Sequence, residues 1–216
     1  MEDDRVYSHL LFDEVEGRLG STGSTDSFRW DGEGWVGTDT NRLWIKSEGF
    51  ATRGGMEDGD HEFLYDRPIS PFFDLQGGVR YDLDSLAGRG WAALGIEGLA
   101  PYRFELSTTI YASDAGHFAA KLQADYDELL TQRLILQPLI EINAYTRPDR
   151  GRHVGSGFSD IDAGLRIRYE IGRKFAPYLG VTYQRAYGSG TRAGLPVFSR
   201  GPQDAWRLTI GSRTWL

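Results

Sequence analysis

The 216-residue chain contains no cysteine, which excludes a disulfide framework and a thiolate metal site. Methionine occurs twice and histidine four times, so thioether and imidazole ligands for a soft or borderline metal are few. No stretch approaches the ~18 uninterrupted apolar residues of a membrane-spanning helix. That does not make the chain soluble, because the strands of a membrane barrel dilute their lipid-facing residues with equal numbers of polar ones. Positive charge is also short: Lys and Arg total 24 against 31 Asp and Glu, a formal charge of −7. With no Lys/Arg cluster, a nucleic-acid partner is not expected. There is no P-loop, dinucleotide fingerprint or zinc spacing. Met1 is followed by Glu2-Asp3-Asp4 in place of a basic and apolar leader, as expected of an exported chain whose leader has been removed.

What the chain does have is alternation. Along Ile161–Ile171, Ile161, Ala163, Leu165, Ile167, Tyr169 and Ile171 alternate with Asp162, Gly164, Arg166, Arg168 and Glu170. Period two is a strand with one apolar and one charged face. The pattern predicts about twelve strands, near residues 7–18, 27–37, 41–52, 60–67, 72–83, 90–99, 102–112, 117–127, 133–146, 160–171, 175–187 and 204–216. Their lengths suit tilted strands crossing a bilayer. The joins Asp39-Thr40, Pro68-Ile69-Ser70-Pro71, Ala100-Pro101, Leu130-Thr131-Gln132 and Gly172-Arg173-Lys174 are tight. Joins at 19–26, 53–59, 84–89, 147–159 and 188–203 are longer and rich in Gly, Ser and Asp. Short turns on one side and long loops on the other are the habit of outer-membrane barrels. An even strand number puts both termini on the short-turn, periplasmic side. Proline and aromatics recur where strands leave tight turns, at Pro71-Phe72-Phe73, Ala100-Pro101-Tyr102 and Ala176-Pro177-Tyr178, which predicts an aromatic girdle. The expected fold is all-β: a single antiparallel up-and-down transmembrane β-barrel forming one domain over 1–216, with 1–6 a short N-terminal remnant. A soluble barrel with an apolar core is the alternative on pattern alone.

The polar faces then become the lumen. Its expected lining is Arg42, Lys46 and Glu48; Asp74 and Arg80; Glu97; Arg103 and Glu105; Asp125; Glu141; Arg166, Arg168 and Glu170; and Arg207 and Arg213. Arginine outnumbers lysine there, as suits planar pairing with carboxylates in a confined site. Exposed pairs of this kind stabilise little, whereas inside a barrel they order one another and set what passes.

Candidate metal ligands are His9, Met56, His61, His117 and His153. Copper takes imidazole and thioether ligands, and Met56-Glu57-Asp58-Gly59-Asp60-His61 gathers both with three carboxylates on the long-loop side. The plain alternative is a solvated acidic hairpin. His117 and His153 fall on or near long loops, and His9 starts the first strand on the opposite side. No Ser/His spacing for a barrel lipase is found. Asp58, Asp60 and His61 have no second acidic pair opposite them for a barrel protease. An enzyme is not expected.

Several segments resemble hallmarks of the copper resistance protein B family of outer-membrane proteins. They are Asn41–Gly49 (N-R-L-W-I-K-S-E-G), Pro71–Arg80 (P-F-F-D-L-Q-G-G-V-R), Gly98–Tyr102 (G-L-A-P-Y), Leu129–Pro138 (L-L-T-Q-R-L-I-L-Q-P), Gly155–Asp160 (G-S-G-F-S-D), Arg168–Ile171 (R-Y-E-I) and Phe175–Tyr178 (F-A-P-Y). The resemblance implies a barrel in the cell outer membrane, in contact with its lipid, belonging to a periplasmic copper-tolerance system. Copper ion would be the transported or transiently bound species, and periplasmic copper-handling proteins the further partners. Family members often carry a Met/His-rich segment before the barrel. The chain opens instead Met1-Glu2-Asp3-Asp4-Arg5-Val6, so that segment is expected to be missing. Ser8-His9-Leu10-Leu11 also stands where methionines are frequent, leaving His9 as the soft ligand of the first strand. Two functions follow as expectations: a barrel that binds or conducts copper, and a non-transporting anchor that presents an N-terminal metal-binding segment to periplasmic partners. The membrane reading has a direct check. Membranes of an expressing cell should release the protein into detergent and not into buffer, and a protein soluble without detergent overturns it.

Overall fold

The computed structural model describes residues 5–20, 26–83, 88–147, 157–187 and 204–216. Their strands are β1 (Tyr7–Gly20), β2 (Ser27–Gly37), β3 (Arg42–Thr52), β4 (Gly55–Pro68), β5 (Phe73–Asp82), β6 (Arg89–Ala100) and β7 (Phe104–Ser113). These are followed by β8 (Phe118–Asp125), β9 (Glu128–Leu129), β10 (Leu134–Tyr145), β11 (Gly157–Tyr169), β12 (Phe175–Ala186) and β13 (Asp204–Trp215). One turn of 3-10 helix, Pro101–Arg103, joins β6 to β7. β8 and β9 both pair with β10 and so share one place in the wall, which has twelve strand positions. Every neighbouring pair is antiparallel. β1 meets β13 from Leu11↔Trp215 to Gly20↔Arg207, and Leu10 and Leu216 exchange backbone hydrogen bonds of 3.2 and 2.8 Å. The sheet is therefore a closed barrel, with the start of β1 and the end of β13 at the short-turn rim. Closure leaves no open edge of unpaired amides.

The alternation resolves into two environments. On β11, Leu165 and Ile167 are 44% and 50% exposed, whereas Arg166 and Arg168 are 1% and 3% exposed. Elsewhere Leu43, Ile45, Val79, Leu94, Ile110 and Leu208 are likewise exposed, and Glu16, Arg18, Asp66, Asp82 and Asp162 are buried. Apolar side chains outside and charges inside invert the order of a water-soluble protein. The exterior is the lipid-facing band of a membrane barrel, which removes the soluble alternative.

Two irregularities in the wall shape the lumen. Pro138 on β10 has no amide hydrogen. Its carbonyl accepts from Tyr126 N at 3.1 Å, but no return bond can form, and there the ladder lapses between β8 and β9 at Tyr126-Asp127. In β1 the register shifts between Phe12 and Glu14 against β2. The extra residue, Asp13, is a β-bulge that changes which parity faces inward. Leu10 and Phe12 point out before it, and Val15 and Leu19 after it.

The strand positions follow the sequence expectation closely, with three corrections. The join expected at 53–59 is a tight turn at Arg53-Gly54, because Gly55 adopts φ 122° and lets β4 begin there. The long-loop rim thus also holds tight turns, among the described residues a second one at 114–117. Phe72 and Tyr102 are 64% and 87% exposed, as a girdle requires, but Tyr178 is buried and turns inward. Replacing Leu165 by Arg should destabilise the barrel by about 2–4 kcal/mol if the position lies near the bilayer midplane. Urea unfolding in lipid vesicles measures it, and an unchanged midpoint would show that Leu165 does not lie deep in the hydrocarbon.

Candidate functional site

The inner wall is held by shared charges. Arg166 reaches from β11 to β1, where its Nη2 lies 2.8 Å from Glu14 Oε1 and 3.1 Å from Glu16 Oε2. Arg18 Nε donates to Glu16 Oε1 at 2.6 Å, and its Nη1 donates to Asp162. Arg29 on β2 lies 2.9 Å from Glu14 Oε2. Each guanidinium thus serves more than one carboxylate, the condition under which buried charge is tolerated. Missing side chains make the reach possible. A Cβ at Gly180 would lie 2.9 Å from Arg166 Cγ, and one at Gly211 would lie 2.6 Å from the Tyr178 ring and 2.7 Å from Glu16 Cβ. Across bare Gly211, Tyr178 Oη donates to Glu16 Oε2 at 2.9 Å. The Arg166 guanidinium stands 4.9 Å from the same ring, a cation–π contact.

Two further contacts cross the lumen. Arg29 on β2 donates through Nη2 to Glu141 Oε2 on β10 at 2.7 Å. Lys121 on β8 donates to Glu48 on β3 and lies 3.9 Å from Glu141 Oε1. In a wall of twelve positions, β2 and β10 are five apart, as are β3 and β8. Opposite walls are therefore tied by a chain of alternating charge, Arg29–Glu141–Lys121–Glu48. Asn143 holds Glu141 Oε1 at 2.9 Å and Asp160 Oδ2 at 3.0 Å.

From this level a cavity of about 370 Å³ extends to the short-turn mouth. Its lining includes twelve carboxylates and six cationic side chains, so it is net acidic. Lys46 bridges Glu33, at 3.8 Å, and Glu97. Arg213 Nε lies 2.8 Å from Asp13 Oδ1. An apolar row also follows the ladder around the wall through Trp35↔Trp44, Leu64, Gly78, Ala93, Tyr111, Ala119 and Tyr145. Trp44, Leu64, Ala93 and Tyr111 are its buried members, and Trp91 packs against them.

The expected lining residues fall as follows. Lys46, Glu48, Glu97, Glu105, Asp125, Glu141, Arg166 and Arg213 border the cavity. Arg42 turns inward at the short-turn end, 3.0 Å from Asp74 Oδ2 and over the Trp35 ring at 5.2 Å. Arg80 joins Asp60 at 2.6 Å and Asp82 at 2.7 Å. Arg168 meets Asp127, the residue freed by the lapse opposite Pro138, and Gln137 at 3.2 Å. Arg207 donates to Gln184 at 2.6 Å near the long-loop end. Arg103 departs from expectation: it lies exposed in the 3-10 turn with φ 67°, outside the lumen. Glu170 likewise follows the last residue of β11 and stands at turn level.

The candidate metal ligands are scattered. His9 points inward at the short-turn rim, 6.5 Å from the Trp35 ring. Met56 is exposed at the opposite rim. His61 shares the outward face of β4 with Phe63 and Tyr65, so the segment from Met56 to His61 is strand and not a ligand loop. His117 sits in the β7–β8 turn, and His153 lies outside the described residues. Among the described residues no group of three or more His, Asp or Glu side chains is arranged to hold a metal ion. Alternation alone does not select Glu14, Glu16 and Arg18, because the bulge at Asp13 reverses parity. The consecutive acids Asp13-Glu14 are the trace it leaves in the sequence.

Comparison with known proteins is consistent across sequence and fold. The family model "Copper resistance protein B precursor (CopB)" matches residues 6–216. A copper resistance protein B of Escherichia coli is 42% identical over 188 residues, covering 87% of this chain and 63% of that protein. A copper resistance protein B homolog of Pseudomonas syringae pv. tomato is 38% identical, covering 100% of this chain and 72% of its own length. The chain thus spans less than two thirds of the first of these relatives. Among solved structures, the NanC porin superposes with a TM-score of 0.61 at 12% identity, covering 93% of this chain and 98% of that one. The KdgM porin in complex with disordered oligogalacturonate gives 0.54 at 11% identity, with 95% and 98% coverage. At such identities the likeness is one of fold.

The charge network makes two mutational predictions. Arg166→Met should cost about 3–5 kcal/mol, because Glu14 and Glu16 lose a buried partner. Gly211→Val should drive Tyr178 off Glu16 and cost about 1–3 kcal/mol. Adding Tyr178→Ala to Gly211→Val should recover part of that loss. Unfolding midpoints in detergent read all three, and an additive double variant would deny the contact across Gly211.

Proposed function

The chain belongs to the copper resistance protein B family, and from that premise we propose that its barrel binds and conducts copper ions across the outer membrane. The observation that supports this reading is the acidic cavity, with twelve carboxylates facing six cations. Carboxylates at the walls of a confined passage concentrate cations, and many weak sites allow both entry and release. The same chemistry points to oxidation state. Cu(I) is selected by thioether and thiolate ligands, and the cavity lining contains neither. Oxygen ligands suit a hydrated Cu(II) ion, with His9 as an imidazole at the short-turn mouth.

A second reading has its own observation. The pairs Arg29–Glu141 and Lys121–Glu48 cross the lumen, and a barred lumen suits an anchor that presents a metal-binding segment to periplasmic copper-handling proteins. Copper flux into liposomes separates the two. With a chelating dye inside, vesicles bearing the barrel should take up Cu(II) faster than empty vesicles. The combined Glu33→Gln and Glu97→Gln variant should lose uptake severalfold, His9→Ala should lose less, and His61→Ala should lose nothing, because its ring is on the outer face. Uptake no faster than in empty vesicles overturns conduction and leaves the anchor.

A further inference from the structure

The chain of charges Arg29–Glu141–Lys121–Glu48 is more than a filler of space. Its members come in adjacent pairs on opposite walls: β2 beside β3, and β8 beside β10. Signs alternate along it, so each cation faces a carboxylate from the other wall. The ties run between long side chains of strands that share no ladder. We propose that this quartet is the gate and charge filter of the lumen, closed in the present conformation and opened when a cation exchanges for Arg29 or Lys121 at Glu141 and Glu48.

The physical case rests on asymmetry. On the short-turn side the cavity gathers an excess of carboxylates, so a small cation is concentrated next to the quartet and an anion is not. At the quartet a cation can compete for the two carboxylates, and the displaced side chains need only change rotamer. Separating the pairs without such exchange would leave charges unpartnered away from bulk water, which is costly. Opening is therefore coupled to the arrival of the ion that passes. Arg29 is additionally tied to Glu14 at 2.9 Å, so it has a second carboxylate to rest on when Glu141 is taken. Lys121 donates to Glu48 and lies 3.9 Å from Glu141, both members of the quartet, so a cation taking those carboxylates displaces it directly.

The inference rests on the lumen being a route for ions but not on copper being its cargo, so it is tested with KCl alone. Purified barrel is inserted into planar lipid bilayers, and single-channel conductance and reversal potential in a KCl gradient are recorded. Wild type should conduct weakly. Lys121→Met should raise conductance severalfold and move the reversal potential towards that of K⁺. Glu48→Gln with Glu141→Gln should also raise conductance but move the reversal potential towards that of Cl⁻. The charge swap Glu48→Lys with Lys121→Glu keeps a pair across the lumen and should return conductance towards the wild-type level. Heat-modifiable migration on gels confirms that each variant is a folded barrel. Folded Lys121→Met and Glu48→Gln/Glu141→Gln barrels no more conductive than wild type overturn the gate, as does a swap that conducts like the single variant. Failure of copper uptake with these KCl responses intact would instead remove copper as cargo and leave the gate standing.

Discussion

Hydrocarbon offers a backbone amide no partner, so the ladder between β1 and β13 governs everything else in this molecule. Once those strands pair, each backbone has neighbours on both sides and each side chain has two choices. Outward positions must tolerate lipid, and inward positions share a space too narrow for bulk water to solvate many charges. The inner residues must then neutralise one another. Arg18, Arg29 and Arg166 against Glu14, Glu16, Asp162 and Glu141 are the local answer. Planar guanidinium groups with several donors let a few cations serve a larger number of carboxylates.

The balance struck is incomplete by design of the wall. Around Arg18 and Arg166 the charges nearly cancel, and the side chains pack with little exposure. Towards the short-turn mouth the acids predominate, with Lys46 and Arg213 as the cations among them. The same barrel therefore combines a compensated belt with an acidic chamber towards the short-turn end. In the belt each buried cation has carboxylate partners, and in the chamber carboxylates outnumber cations. The proposed passage of copper rests on that division between a paired belt and an acid-rich chamber.

Much of this was legible in the chain. Period-two alternation locates the strands to within a few residues, and the inward set of β3, β6, β10 and β11 is readable as lumen from the polar positions alone. Loop lengths and tight turns placed both ends of the barrel. Other features depend on contacts distant in sequence. The bulge at Asp13 shifts the parity of β1, so simple counting misassigns Glu14, Glu16 and Arg18. Tyr178 follows the girdle pattern Ala-Pro-Tyr, yet it faces inward because Gly211 leaves room beside Glu16. Met56 and His61 sit together in the sequence as a ligand set would, but β4 starts early and sends His61 outward. Which charges cross the lumen is set by the staggered register of the whole wall, and no local pattern encodes it.

The bond between Arg18 and Asp162 joins residues 144 apart in sequence, and that between Tyr178 and Glu16 joins residues 162 apart. Both need the strands at the two ends of the barrel to have met. Contacts of such separation form late, after the loop-closure entropy of nearly the whole chain has been overcome. Until then the inner faces of β1 and β11 hold arginines and carboxylates without their partners, and both edge strands are open. A partly assembled sheet is thus poorly suited to hydrocarbon for two reasons at once. The charge belt that fills the finished lumen also makes the final zipping of the barrel a checkpoint, because neutrality and closure are reached in the same step.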